Sequence, residues 1–118
     1  MPYLDLAGVR LRYDVSGDGP PLVLVHGSAV DGTTWANVVP MLARTYTVIT
    51  YDRRGYGDSK HAPVRDHRLH GDDLIAILEQ VAKKPAVVVG WSSGGNVALA
   101  MAAKRPDLFK SLVIVEAP

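Results

Sequence analysis

The sequence has no cysteine. Disulfides, a thiol nucleophile and a thiolate metal site are therefore excluded, and the composition suits a reducing cytoplasm. Charge of neither sign is in excess. Thirteen Lys and Arg stand against twelve Asp and Glu, a formal net charge of +1, with no basic cluster to bind nucleic acid or an anionic membrane. No apolar run approaches the roughly 20 residues that span a bilayer. The start, Met1-Pro2-Tyr3-Leu4-Asp5, lacks a charged-then-apolar leader. Neither G-x-G-x-x-G nor G-x-x-x-x-G-K-[ST] occurs, so nothing supports a nucleotide site. Repeats, low-complexity tracts and linkers are absent too. What is present, 118 residues of which 47% are apolar and 21% charged, fits one globular domain spanning 1–118.

The apolar residues come in short blocks. Residues 3–15 alternate loosely, and Ala7-Gly8 is placed to close an antiparallel hairpin. Leu22-Val23-Leu24-Val25, Thr47-Val48-Ile49-Thr50-Tyr51, Ala86-Val87-Val88-Val89 and Leu112-Val113-Ile114-Val115 are continuous runs. Such runs mark strands buried on both faces, the habit of parallel sheets. Between them lie helical spacings. Trp35, Val38, Val39, Leu42 and Ala43 predict a helix that starts irregularly and settles after Pro40, with Thr33 and Thr34 as caps. Leu74, Ile77, Leu78 and Val81 predict an amphipathic helix over 69–82. A third helix follows residue 92 and ends at Lys104-Arg105-Pro106. From Leu22 onward the order β-α-β-α-β-α-β dictates a parallel sheet with right-handed crossovers and helices on both faces. The fold class is α/β.

The chain is organised around Gly90-Trp91-Ser92-Ser93-Gly94, between a buried strand and a small-residue helix. This is G-x-S-x-G in the strand–turn–helix context that a nucleophile elbow requires. A side chain at Gly90 or Gly94 is expected to collide with the opposite arm of the turn. Ser92 at the apex is expected to sit in strained backbone. Its Oγ stands near a helix N-terminus, where free N–H groups and the helix dipole favour developing negative charge.

With His26-Gly27-Ser28-Ala29, Asp52-Arg53-Arg54-Gly55-Tyr56-Gly57-Asp58-Ser59, Gly90 to Gly95, and Arg105-Pro106 leading to Leu112–Glu116, the chain resembles the N-terminal half of an α/β-hydrolase. The resemblance covers nearly the whole chain. It implies strands one to six of an eight-stranded sheet in spatial order 1-2-4-3-5-6. It implies Ser92 as nucleophile, the backbone N–H groups of Ser28 and Ser93 as oxyanion hole, and an esterase-like acyl-transfer chemistry on a small ester-type substrate. A serine nucleophile argues against the aspartate-nucleophile branches of the family. No cofactor and no metal are implied.

The family places an acid and then a histidine after Ser, following its seventh and eighth strands. On this reading those strands, the last helix, the cap and the family histidine are missing. Glu116, just past the sixth strand, is the remaining acid candidate. His26 is expected to brace the oxyanion loop. His61, His67 and His70 are expected to be solvated, and their spacing with Asp66, Asp72 and Asp73 matches no recognised zinc pattern. Asp52 and Arg53-Arg54-Gly55 are expected to form a salt-bridged loop bracing the elbow. Of the two tryptophans, one is expected in the core and one, Trp91, on the substrate pocket. An exposed apolar edge strand, Leu112–Val115, and a half-bare sheet face predict self-association or a complementing second half. Two readings stand: a serine hydrolase whose acid and histidine lie elsewhere, and an inactive truncated product or interaction subunit that needs a partner.

Overall fold

A computed structural model describes residues 3–6, 9–59 and 68–116. The expected turn at Ala7-Gly8, and His61, Asp66 and His67, lie outside the described residues. Six strands form one sheet: β1 (Tyr3–Leu6), β2 (Val9–Ser16), β3 (Pro21–Val25), β4 (Thr47–Tyr51), β5 (Ala86–Trp91) and β6 (Phe109–Val115). Their order is β1-β2-β4-β3-β5-β6, the order that the resemblance implies. β1 and β2 pair antiparallel, and β2 pairs antiparallel with β4. The β4–β3, β3–β5 and β5–β6 pairs are parallel.

The continuous apolar runs have the expected cause. Alternate residues of a strand point to opposite faces, and both faces of the central strands are buried. Val23, Val25, Ile49, Tyr51 and Val88 join one cluster with Leu74, Ile77, Leu78 and Ala98. These helical residues belong to α2 (Arg68–Ile77), a π-helical turn (Leu78–Ala82) and α3 (Ser93–Lys104). Leu22, Leu24 and Val48 face the other way, against Trp35, Val39 and Leu42. That face is covered by a 3₁₀ turn (Gly32–Trp35) and the short α1 (Val39–Leu42).

The expected helix over 69–82 is therefore an α-helix with a wider last turn. Lys83 adopts a left-handed φ of 64°, and its N–H donates to the Leu78 carbonyl at 3.0 Å. This six-to-one bond is the usual way to satisfy a carbonyl left over at a helix end. The helix near Pro40 starts irregularly, as expected, with Pro40 in its first turn. Its 3₁₀ entry is capped by Asp31, which accepts from the Thr33 N–H, and not by a threonine.

The two faces differ at the β6 side. Neighbours paired across parallel strands share a face, so Leu112 lies with Val88, and Val113 and Val115 lie with Val89 and Trp91. α3 packs on β5 and β6 on the first face. On the second, the 3₁₀ turn lies over β3 and β4, and α1 over β4. Val113 and Val115 are 46% and 40% exposed on this edge strand, and Ile114, on the first face, is 39% exposed. The apolar edge and half-bare face expected from the sequence are both present. Among the described residues no helix is long and apolar enough to cross a membrane.

Candidate active site

Four loops meet at the carboxyl ends of the parallel strands, where open α/β sheets place their ligands. β5 runs through Trp91 into Ser92 and directly into α3. Ser92 has φ 56° and ψ −124°, a region that costs a non-glycine residue about 1–3 kcal/mol and persists only when its surroundings enforce it. Here they do. The Ser92 N–H donates to the Val115 carbonyl at 2.9 Å, and the Ser92 carbonyl accepts from the Gly95 N–H at 2.9 Å. The Ser92 side chain makes no capping bond, so its hydroxyl is not committed to the helix.

The elbow glycines act against different neighbours. A Cβ at Gly90 would lie 2.6 Å from Gly95 Cα, across the turn as expected. A Cβ at Gly94 would lie 2.4 Å from the carbonyl oxygens of Val25 and His26. The clash at Gly94 is therefore with the end of β3 and not with the opposite arm. α3 starts so close to the sheet that only a bare backbone fits beneath it.

His26-Gly27-Ser28 leaves β3 beside this elbow. His26 is fully buried. The Arg53 N–H donates to His26 Nε2 at 2.9 Å, so the ring proton sits on Nδ1, 2.6 Å from the Gly27 carbonyl. Burial, with the nearby Arg53 charge assisting, lowers the His26 pKa to about 4. His26 is a neutral brace with both nitrogens engaged and serves as no base for Ser92. Its Nδ1–H pins the carbonyl of Gly27, the residue before Ser28.

Ser28 and Ser93 are brought together. Their hydroxyl oxygens lie 2.8 Å apart. Among the described residues neither backbone N–H has a protein hydrogen-bond partner. Arg53 reaches the same place: one guanidinium nitrogen, Nη1, donates to Ser93 Oγ and to the His26 carbonyl, both at 3.0 Å.

A model of the alpha/beta hydrolase fold matches residues 20–118. The chain belongs to the α/β-hydrolase fold family. It is 42% identical to a pimeloyl-[acyl-carrier protein] methyl ester esterase of Vibrio atlanticus over 108 residues, 89% of this chain and 39% of that protein. It is 38% identical to the hydrolase YraK of Bacillus subtilis over 107 residues, 88% of this chain and 40% of that protein. Among solved structures, Est816, described as an N-acyl homoserine lactone degrading enzyme, superposes with a TM-score of 0.91 at 31% identity. That match covers 98% of this chain and 45% of Est816. The chain thus spans about 40% of the length of the curated relatives it matches.

Other expected residues are placed less centrally in this α/β-hydrolase chain. Glu116 is exposed, with φ 51°, one residue beyond the carbonyl that holds Ser92. Among the described residues it makes no hydrogen bond or ion pair. His70 is buried and not solvated as expected. It lies in the first turn of α2, where the helix meets the Tyr56 ring at 6.3 Å. Trp91 and Trp35 are both half-buried and line one groove of about 250 Å³ with Thr34, Val38 and Val115, and Trp35 also packs against Leu22, Leu24 and Val48 of the core.

The Asp52–Gly55 loop divides its work. Only Arg53 touches the elbow. Arg54 pairs with Asp73 of α2 through two bonds of 2.9 Å. Asp52 pairs with Arg12 of β2 through bonds of 2.7 and 2.9 Å. It also accepts from the N–H groups of Gly32 and Asp58 at 2.7 and 2.9 Å. Burial pushes the Asp52 pKa up, but Arg12 and the two N–H groups outweigh it and leave the carboxyl below its usual range. The Arg12–Asp52 pair escaped sequence reasoning because Arg12 reads as an outward strand residue 40 positions away. The Ser28–Ser93–Arg53 chain escaped it because two loops and the first residue of α3 supply the three residues.

Proposed function

We propose that Ser92 is the nucleophile of a serine hydrolase acting on carboxylic esters. The observation that carries the reading is Ser92 itself: left-handed backbone at a braced elbow, its hydroxyl uncommitted, beside two backbone N–H groups with no protein partner. In the reaction Ser92 Oγ attacks the ester carbonyl and its proton passes to a base. The carbonyl oxygen becomes an oxyanion facing the N–H groups of Ser28 and Ser93. Collapse expels the alcohol, which takes the proton, and leaves an acyl-enzyme that water then cleaves. Oxyanion donors of this type each lower such a barrier by about 3–4 kcal/mol.

A serine hydroxyl needs an adjacent base near neutral pH. His26 is neutral with both nitrogens engaged. We place the base in the part of the fold that the longer relatives have and this chain does not span, with Glu116 as the acid candidate on this side. The bare half-face over Val89, Val113 and Val115 supports the same reading, since it fits a covering partner, a second half or another copy. The similarity to a pimeloyl-[acyl-carrier protein] methyl ester esterase supports an ester substrate, and we place Trp91 on the pocket wall.

The test is hydrolysis of p-nitrophenyl butyrate by the chain mixed with the separately expressed remainder of the Vibrio atlanticus esterase. Turnover that needs both pieces, and that Ser92→Ala abolishes, supports the reading. Turnover that survives Ser92→Ala contradicts it. A stable complex without turnover favours the second reading, an interaction subunit, which the bare face also suits.

A further inference from the structure

Arg53 differs from the other arginines around the site. Arg12 and Arg54 are buried or nearly so, and each holds a carboxylate, Asp52 and Asp73. Arg53 is only 4% exposed, and among the described residues no carboxylate lies within ion-pair distance of it. A buried charge without a counter-charge is costly and is retained only where something compensates it. The ring of Tyr56 lies 5.5 Å from the guanidinium carbon and offers its π face. The edge of His26 meets that ring at 5.3 Å, holding it in place. The remaining contacts are neutral oxygens: the His26 carbonyl and the Ser93 hydroxyl.

The Ser93 contact has a direction. A guanidinium can only donate, so Ser93 Oγ accepts from Arg53. With one lone pair engaged by a cation, the Ser93 hydroxyl becomes the better donor toward Ser28 Oγ, 2.8 Å away. Ser28 then accepts, and its own proton is left to point outward from an exposed residue. The positive charge is buried at one end of a two-hydroxyl chain, and the other end opens beside the Ser28 N–H.

We propose that Arg53 is a positioning residue for the oxyanion site, acting through the Ser93 hydroxyl to orient the Ser28 hydroxyl as a third donor to the developing oxyanion. This rests on the acyl-transfer reading above. The oxyanion supplies, for the lifetime of the tetrahedral state, the negative charge that buried Arg53 lacks. Preorganised dipoles in a site closed to water are worth more than the same groups in solution. Ser28 would touch the reacting oxygen. Arg53 and the Ser93 side chain act through it.

Phenylboronic acid tests this on the chain as it stands when the titration is run at mildly alkaline pH, where solvent hydroxide takes the Ser92 proton in place of a protein base. Its trigonal boron takes the Ser92 oxygen, the Ser92 proton goes to solvent, and the resulting tetrahedral boronate is an anion, with one B–OH oxygen at the oxyanion position. The ¹¹B chemical shift reports the change, and titration gives the affinity. Wild type should form the adduct and Ser92→Ala should not. Arg53→Met, Ser93→Ala and Ser28→Ala should each weaken it about tenfold or more, while Ser93→Thr, which keeps the hydroxyl, should stay within about twofold. Arg53→Met combined with Ser93→Ala should cost no more than either alone, as for members of one chain. If Arg53→Met fails to fold, Ser93→Ala and Ser28→Ala decide. An adduct that depends on Ser92 but ignores all three substitutions overturns the inference and leaves the nucleophile standing. No adduct on the folded wild type overturns both.

Discussion

Over the central strands one face of the sheet is finished and the other is half made; at the edge strand β6 both are open, with Ile114 on the first face 39% exposed. On the first, α2, the π turn and α3 lie over the strands, and Leu74, Ile77 and Val88 are fully buried. On the second, cover stops at β3 and β4, and Val113 and Val115 remain 46% and 40% exposed. The strands themselves differ little in kind: the first face is lined with Val, Leu and Ile and the second with Val and Leu. The difference teaches that an apolar run records what a strand is built to meet. The finished face braces the elbow, and the bare face requires a second surface.

Substitutions can sharpen that contrast. The largest expected loss comes from Asp52→Ala, which takes the buried carboxylate from Arg12, leaving it Asp14, and unpairs the N–H groups of Gly32 and Asp58. Breaking one partner of a buried pair costs about 3–5 kcal/mol, read as a lower midpoint in urea. Next is a matched pair of truncations. Leu74→Ala on the finished face should cost about 2–5 kcal/mol through the cavity it leaves. Val113→Ala on the bare face should cost under about 0.5 kcal/mol. Equal losses would mean that the bare face is covered in solution.

The pH dependence of stability separates the site from both faces. His26 titrates near 6.5 when unfolded and at about 4 in the folded chain, because burial disfavours its charged form. Between those values the unfolded chain binds the extra proton. Stability is therefore fully present above about pH 6.5 and falls as the pH drops toward 4, by about 3 kcal/mol in all. His26→Gln should flatten that window in chemical denaturation at stepped pH. The smallest stability effect should come from Val113→Lys, within about 0.5 kcal/mol of wild type. Its consequence lies in sedimentation velocity, where self-association through the apolar edge should fall.

The sequence made the sheet legible because each strand is a compact apolar block and the crossovers are short. It made the elbow legible because glycine spacing carries steric information, although the clash at Gly94 turned out to be with Val25 and His26 on another strand. Long-range polar contacts were not legible. Nothing local marks Arg12 as the partner of Asp52, or Ser28 as the neighbour of Ser93. His70 reads as a polar helix start, yet α2 turns it inward toward Tyr56.

The most direct measurement is the intact mass of the chain after exposure to an activated fluorophosphonate, beside Ser92→Ala, with and without the complementary piece of the Vibrio atlanticus esterase. The account predicts one adduct per chain, located at Ser92, forming fast once the complementary piece supplies a base and absent from Ser92→Ala. A folded complex that stays unlabelled, or that carries its adduct on another residue, would contradict it.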